Sequence, residues 1–232
     1  MREMPLAPAQ AQKPLQVGYV EFILETYQTR VKAGERIDFL AHLEEYAGVP
    51  VTGETVKLYY LDPETGEWKY LAENVTDPLG MAPFTVEARY EWGCKTVKFK
   101  ALAEAYGLES NTVSVEVALP TEIVLEAPTS VKAGQTFTVK GKLYKWVAKT
   151  RKEPLVGKKV FVSVAGQSVL ATTAEDGSFS ATFRIDRPGE YGITATFKGE
   201  PRLAAVSFIP GGTVSVLPFI AVLSLAYLAL KA

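Results

Sequence analysis

The chain has few of the side chains from which most catalytic and metal centres are built. Its 232 residues include one cysteine, Cys94, and one histidine, His42. A single cysteine excludes a disulfide within the chain, so the fold has to be held by its apolar core. One cysteine and one histidine also cannot supply the usual nitrogen and sulfur ligands of zinc. We interpret Cys94 as incidental, and His42, close to Glu44 and Glu45, as structural or solvent-facing.

Motifs that assemble reactive groups are also absent from the sequence. It has no Gly-x-Ser-x-Gly elbow, no glycine-rich phosphate loop and no EF-hand loop. Four acidic residues in turns have oxygens that calcium accepts, but turn chemistry explains them first. They are Asp62, Glu64, Asp77 and Asp176. We therefore predict no catalytic residue, no metal and no cofactor, and a protein that is not an enzyme.

Charge is nearly balanced over the chain, at -1, but it is unevenly distributed. Residues 17–119 hold 9 basic and 17 acidic side chains, a net charge of -8, whereas residues 120–216 hold 13 and 8, a net charge of +5. The basic excess is concentrated between Val131 and Val160. No nucleic-acid motif accompanies it, so we expect no nucleic-acid partner. A solvated face and a contact with an anionic surface or an acidic domain both remain open.

The chain contains the same interval twice. Val31-Lys32-Ala33-Gly34 returns as Val131-Lys132-Ala133-Gly134, and Thr112-Val113-Ser114-Val115 returns as Thr213-Val214-Ser215-Val216. A repeat of about 100 residues is longer than solenoid periods of ~20–50 and fits one complete small β domain. We therefore predict two copies of one domain.

Both copies show short strands separated by turns. In the first copy we predict a strand from Tyr19 to Thr29, and apolar residues alternate with polar ones from Arg36 to Leu43. Residues 62–66 form a hairpin turn, since proline presets φ and glycine accepts positive φ. Gly80 and Gly177 hold equivalent positions, because apolar residues stand two, four, six and eight places after each. Strands at this spacing predict an all-β fold of two tandem Greek-key β-sandwiches.

A set of turn and core residues carries a family resemblance. In the first copy it comprises Tyr59-Tyr60, Thr65-Gly66-Glu67-Trp68, Thr76-Asp77 and Gly80; in the second it comprises Thr173, Asp176-Gly177-Ser178-Phe179 and Pro188-Gly189-Glu190-Tyr191. Over about residues 17–216 the chain resembles the Ig-like repeats of bacterial and archaeal cell-surface proteins. The resemblance implies a stalk, spacer, adhesion or polymer-forming role, usually outside the cell. The first copy departs from the pattern where Trp92-Gly93-Cys94 replaces Pro-Gly-x-Tyr.

The two ends of the chain differ from the repeats. Residues 1–16 are rich in Ala, Pro and Gln, and we interpret them as a flexible leader or the remnant of a signal peptide without its apolar region. Residues 17–119 and 120–216 are the predicted domains. Residues 217–232 are apolar up to Lys231, and we predict a hydrophobic helix that anchors the chain in a membrane. The lysine favours a cytoplasmic carboxyl terminus, with the repeats outside the cell.

These features predict a membrane-anchored cell-surface protein whose Ig-like repeats act as a stalk, adhesion or structural module. Two alternatives are a scaffold subunit of a membrane complex and a filament subunit in which the acidic domain of one molecule packs head to tail on the basic domain of the next. The protein or glycan partners are not specified by the sequence. Asn74, in the sequon Asn74-Val75-Thr76, is a possible glycosylation site that we place in a loop.

Overall fold

The computed structural model describes residues 20–208 and 213–217. The predicted leader and the predicted anchor, apart from Leu217, lie outside these ranges. Leu217 is the last residue of a strand and pairs with Lys132, so its assignment to the anchor is wrong. Its backbone continues the ladder of the preceding residues. Within the described residues we find no apolar helix with the length that a membrane span requires.

The described residues form twenty β-strands and one short 3-10 turn, Tyr90–Trp92. The strands before residue 120 are β1 (Val20–Glu25), β2 (Arg30–Lys32), β3 (Arg36–Glu45), β4 (Val49–Pro50), β5 (Thr55–Leu61), β6 (Trp68–Val75), β7 (Met81–Glu87), β8 (Lys95–Ala103), β9 (Leu108–Glu109) and β10 (Val113–Ala118). Those after it are β11 (Thr121–Glu126), β12 (Ser130–Lys132), β13 (Thr136–Ala148), β14 (Arg151–Pro154), β15 (Lys159–Val164), β16 (Gln167–Thr172), β17 (Ser178–Arg184), β18 (Gly189–Phe197), β19 (Val206–Phe208) and β20 (Thr213–Leu217).

The strands form four sheets with the same plan in each half of the chain. Sheet I has the order β1-β3-β4, with β7 also on β3, and sheet II has the order β2-β10-β8-β5-β6, with β9 on β8. Sheet III (β11-β13-β14, with β17) and sheet IV (β12-β20-β18-β15-β16, with β19) repeat that order. We call sheets I and II the first sandwich and sheets III and IV the second. This division of strands is that of Ig-like Greek-key sandwiches, so the predicted all-β, Ig-like fold is confirmed.

Alternation of apolar and polar side chains builds each sandwich. In β3, Ile37, Phe39, Ala41 and Leu43 are buried while the residues between them face outward. Phe39 of sheet I meets Phe99 of sheet II with ring centroids 4.7 Å apart. Burial of a side chain of this size contributes roughly 1.5–3 kcal/mol. The core between the sheets therefore supplies the cohesion that a disulfide would otherwise add.

The first predicted strand, Tyr19 to Thr29, is too long, because β1 ends at Glu25. β1 pairs with β3 in sheet I, the chain then crosses over, and β2 pairs in parallel with β10 of sheet II. At the crossover the side-chain amide of Gln28 makes the hydrogen bonds to β3 that a neighbouring strand would make. Its Nε2 donates to Arg36 O at 3.0 Å and its Oε1 accepts the N–H of Asp38 at 2.7 Å. Periodicity gives no sign of such a change of sheet.

Gly80 and Gly177 occupy equivalent turns, as predicted. Each has positive φ, 73° and 76°, and their carbonyls accept the N–H of Leu43 and Leu143 at 2.9 and 3.0 Å. A Cβ at Gly80 would lie 2.5 Å from Leu43 O, and one at Gly177 2.7 Å from Leu143 O. Only glycine allows the two backbones this close approach.

We predict that Gly80→Ala destabilises the protein more than Gly66→Ala does. Both positions have positive φ, which costs an alanine about 1–2 kcal/mol. Only at Gly80 does the new Cβ also strike a backbone oxygen, whereas nothing lies within 4 Å of it at Gly66. Urea unfolding of the two variants measures the difference. Equal losses of stability would contradict the close approach.

Candidate functional site

The histidine and the carboxylates considered in the sequence are distributed over separate strands and turns, and the described residues do not gather them into one site. His42 is on the outer face of sheet I, where its Nε2 lies 2.9 Å from Glu44 Oε1. Glu64 Oε1 pairs with Lys95 Nζ at 3.0 Å, and Asp77 Oδ1 accepts the N–H of Leu79 at 2.8 Å. Among the described residues no group of three or more His, Cys, Asp or Glu side chains is placed to hold a metal ion.

Asp62 and Asp176 are each engaged with a lysine. The ammonium of Lys69 donates to Asp62, whose other oxygen accepts the N–H of Glu64 at 2.8 Å. These bonds lower the pKa of Asp62 to about 2, and the bond from Lys69 has the largest effect. Lys142 Nζ likewise donates to Asp176 at 2.8 Å and lowers the pKa of that carboxyl group. The hydrogen bonds of the two turns therefore account for the position of both carboxylates.

Asn74 lies in β6, so its predicted position in a loop is wrong. Its Oδ1 accepts the N–H of Val75 at 2.8 Å and its Nδ2 donates to Pro83 O at 2.6 Å, which links β6 to β7. Thr76, the third residue of the sequon, is buried and accepts the N–H of Glu54 at 2.9 Å. The fold thus uses both polar side chains of the sequon. Glycosylation at Asn74 stays a prediction.

A set of contacts not foreseen from the sequence lies where the two sandwiches meet. Only Leu119 and Pro120 separate β10 from β11. Leu119 N–H donates to Arg202 O at 3.2 Å, and Leu119 O accepts the N–H of Ala204 at 3.0 Å. The segment of residues 199–205, which we call the clip, therefore pairs with the linker as a strand would.

Side chains of the first sandwich also reach the second. Arg30 Nη2 donates to the carbonyls of Glu200 and Pro201, each at 3.1 Å. Lys149 Nζ, on the second sandwich, pairs with Glu87 of the first at 2.8 Å. Because one guanidinium bonds two successive carbonyls, it fixes the position of the clip relative to the first sandwich.

Apolar packing crosses the junction too. The side chain of Leu119 is 6% exposed and lies against Gly93, where an added Cβ would be 2.2 Å from Leu119 Cδ2. Leu119 and Leu203 belong to one contiguous cluster of buried side chains that includes residues of both sandwiches. The cores are therefore joined, although among residues 20–208 and 213–217 strand pairing stays within each sandwich apart from the bridge between Leu119 and Leu203. The domain boundaries at residues 17–119 and 120–216 stay a prediction.

Cys94 belongs to this junction. It follows the 3-10 turn Tyr90–Trp92, which Gly93 caps, and it has a positive φ of 63°. Its Sγ lies 3.2 Å from Arg202 O, in the clip. The departure of the first copy from the repeat pattern thus falls where the second sandwich packs. No sequence motif marks this contact, because its members are far apart in the chain.

Comparison with known proteins gives no family for this chain and several solved structures of low similarity. No protein-family model matches the sequence, and no curated protein matches it. The chain is similar to the D0-D1 domain of intimin, with 19% identity over 87% of this chain and 100% of that one and a TM-score of 0.32. It is similar to the Escherichia coli adhesin FdeC, with 13% identity over 84% of this chain and 64% of that one and a TM-score of 0.42.

A third similarity is to an alpha-2-macroglobulin of Salmonella, with 12% identity, a TM-score of 0.40 and 86% of this chain covered. The chain spans only 16% of that protein's length. All three TM-scores are below 0.5. The assignment to the Ig-like sandwiches therefore depends on the strand order described above.

We predict that Arg30→Ala loosens the junction without unfolding either sandwich, because it removes the two bonds to the clip. Spin labels placed on β6 and β16 give the distribution of distances between the sandwiches, which should broaden in the variant. Arg151→Ala, which removes an exposed guanidinium 3.9 Å from Glu153, is the matched control and should leave the distribution unchanged. An unchanged width in Arg30→Ala would contradict a junction held by the clip.

If the protein is exported through a glycosylating pathway, we predict a glycan on Asn74 that leaves the fold intact. A glycosylated Nδ2 keeps one N–H, which can still donate to Pro83 O. The intact mass of the exported protein should exceed that of the bare chain, and Asn74→Gln should abolish the excess. Thr76→Ser keeps both the sequon and the buried hydroxyl and serves as the control. A bare mass for the exported wild type would refute the prediction.

Proposed function

We propose that the protein is a non-catalytic, membrane-anchored cell-surface protein whose two Ig-like sandwiches act as a stalk or adhesion module. The observation that carries the proposal is the junction. A stalk has to hold its far end at a set distance, and a flexible linker of many residues does not do so. Here two residues join the sandwiches, and the clip bonds both the N–H and the carbonyl of Leu119.

The role outside the cell is supported by the resemblance to surface repeats and by the carboxyl-terminal sequence. With Leu217 in β20, the uncharged segment from Pro218 to Leu230 remains as the anchor, followed by Lys231. At 1.5 Å per residue a helix of this segment is about 20 Å long, shorter than the ~30 Å hydrocarbon core. Local thinning of the bilayer accommodates a short span at modest cost.

A scaffold subunit of a membrane complex uses the same architecture in a different setting. Both functions need an anchor and stiff repeats, but a scaffold has a stoichiometric membrane partner. Purification of the full chain from detergent distinguishes them. Recovery with one partner in fixed ratio favours the scaffold, and recovery alone favours the stalk.

We predict that the full chain stays in the membrane fraction after an alkaline wash and that a variant ending at Leu217 is released. The matched control, Leu223→Arg with Leu225→Arg, keeps the length of the segment but adds two charges that each cost about 2.5–3.5 kcal/mol in the bilayer. It should be released as well. Protease added to intact cells should digest the repeats. Wild type in the soluble fraction, or repeats protected from protease, would refute this proposal.

A further inference from the structure

The outer face of sheet I is strongly acidic. In β1 and β3 the buried residues alternate with outward ones, and β7 continues the same face. The face carries five carboxylates, one arginine and one histidine: Glu21, Glu25, Asp38, Glu44, Glu87, Arg36 and His42. Glu44 lies 2.9 Å from His42, and Glu87 pairs with Lys149 of the second sandwich. Ile23 and Met81 lie on either side of His42 in one row of the sheet, and Leu40 lies in the next outward row of β3, so apolar side chains surround the histidine at the centre.

One like-charge pair on this face is unfavourable for its own sheet. Glu21 stands directly opposite Glu44 in the β1–β3 ladder, and like charges in that position are destabilising. Among the described residues, no lysine or arginine forms a salt bridge with Glu21 or Glu25. A cationic partner docked on the face would supply the compensation that the sheet lacks.

The outer face of sheet IV has the opposite character. Burial of Val160, Val162 and Val164 turns Lys159 and Phe161 outward. The face carries three exposed lysines, Lys132, Lys159 and Lys198, and one carboxylate, Glu190. Phe161 and Leu170 stand opposite each other in its β15–β16 ladder and form its apolar centre.

The lysines of sheet IV differ from most others of the second sandwich, although Lys140 in sheet III also forms no salt bridge among the described residues. Lys142, Lys145, Lys149, Lys152 and Lys158 each pair with a carboxylate at 2.6 to 3.4 Å. Among the described residues, no salt bridge involves Lys132, Lys159 or Lys198. Lys198 Nζ instead lies 4.7 Å from the centre of the Phe161 ring. The cations of this face are therefore available to carboxylates of another molecule.

We propose that the acidic face of sheet I in one molecule docks on the basic face of sheet IV in a second copy. The two faces are opposite in charge, and each has apolar side chains surrounded by charged ones. This pattern favours specific association. The contact joins different surfaces, so repetition gives rings or filaments. It deepens the proposed stalk function, because anchored stalks would then meet side by side or end to end on one surface.

The experiment uses the full chain in detergent, with association measured by sedimentation velocity over a range of protein concentrations. Wild type should associate at about 0.01 M ionic strength, where the Debye length is about 30 Å, and dissociate at about 1 M, where it is about 3 Å. Two double variants should be monomeric at both ionic strengths. One is Glu21→Lys with Glu25→Lys, and the other is Lys159→Glu with Lys198→Glu. A wild type that is monomeric at low ionic strength overturns the proposal.

Mixing gives the sharper test. In an equimolar mixture of the two double variants, each reversed face meets a complementary one, and association should return. The controls shift net charge equally on other surfaces: Glu67→Lys with Glu175→Lys, and Lys140→Glu with Arg187→Glu. Both controls should associate as wild type does. Failure of the mixture to associate, or loss of association in either control, overturns the proposed contact.

The outcomes separate this contact from the stalk itself. Association through the apolar carboxyl-terminal segment would persist in both double variants, which overturns the face-to-face contact. A strict monomer that still fractionates with membranes leaves the stalk in place without it. A chain that is released from the membrane but still associates overturns the membrane-anchored stalk and keeps the face-to-face contact.

Discussion

The arrangement of the molecule depends on Leu119, which takes part in both sandwiches at once. Its N–H donates to the clip and its carbonyl accepts from it, and its side chain is buried against Gly93. A single residue thus continues strand pairing and core packing from one sandwich to the next. Since burial and hydrogen bonding reinforce each other there, the junction resists bending more than a hydrophilic linker of equal length would.

The two sandwiches share their internal geometry and differ on their surfaces. Thr76 and Thr173 are both buried and accept equivalent backbone bonds, from Glu54 N–H and Lys158 N–H, each at 2.9 Å. At equivalent outward positions of β3 and β13, His42 corresponds to Lys142. The constraints of turns and core are kept in both copies, whereas solvent-facing positions such as this one differ in charge.

Much of the fold could be predicted from the sequence, and the junction could not. The repeat, the alternation along β3 and β17 and the glycine turns at Gly80 and Gly177 are local patterns, and the structure confirms them. The contact of Arg30 with Glu200 and Pro201 joins residues 170 positions apart and has no local signature. A two-residue linker predicts that the sandwiches are close, but it does not predict which loop binds it.

Two local expectations failed where side-chain amides bond the backbone. Asn74 was expected in a loop, but it pairs with Val56 in the β5–β6 ladder and its amide also bonds Pro83 O. The first strand was expected to run to Thr29, but β1 ends at Glu25, and the side chain of Gln28 bonds Arg36 and Asp38 beyond it. The function of the carboxyl-terminal segment depends on the sequence alone, since it lies outside the described residues.

Hydrogen exchange of the amides of Leu119 and Ala204 tests the central claim most directly. Both N–H groups are bonded across the junction, at 3.2 and 3.0 Å. If the junction is closed in solution, they should exchange about as slowly as the strand amides beside them, such as Trp146 N–H, which donates to Pro120 O at 2.8 Å. Exchange as fast as that of Gly107 in its exposed turn would show that the sandwiches move independently and would contradict the account.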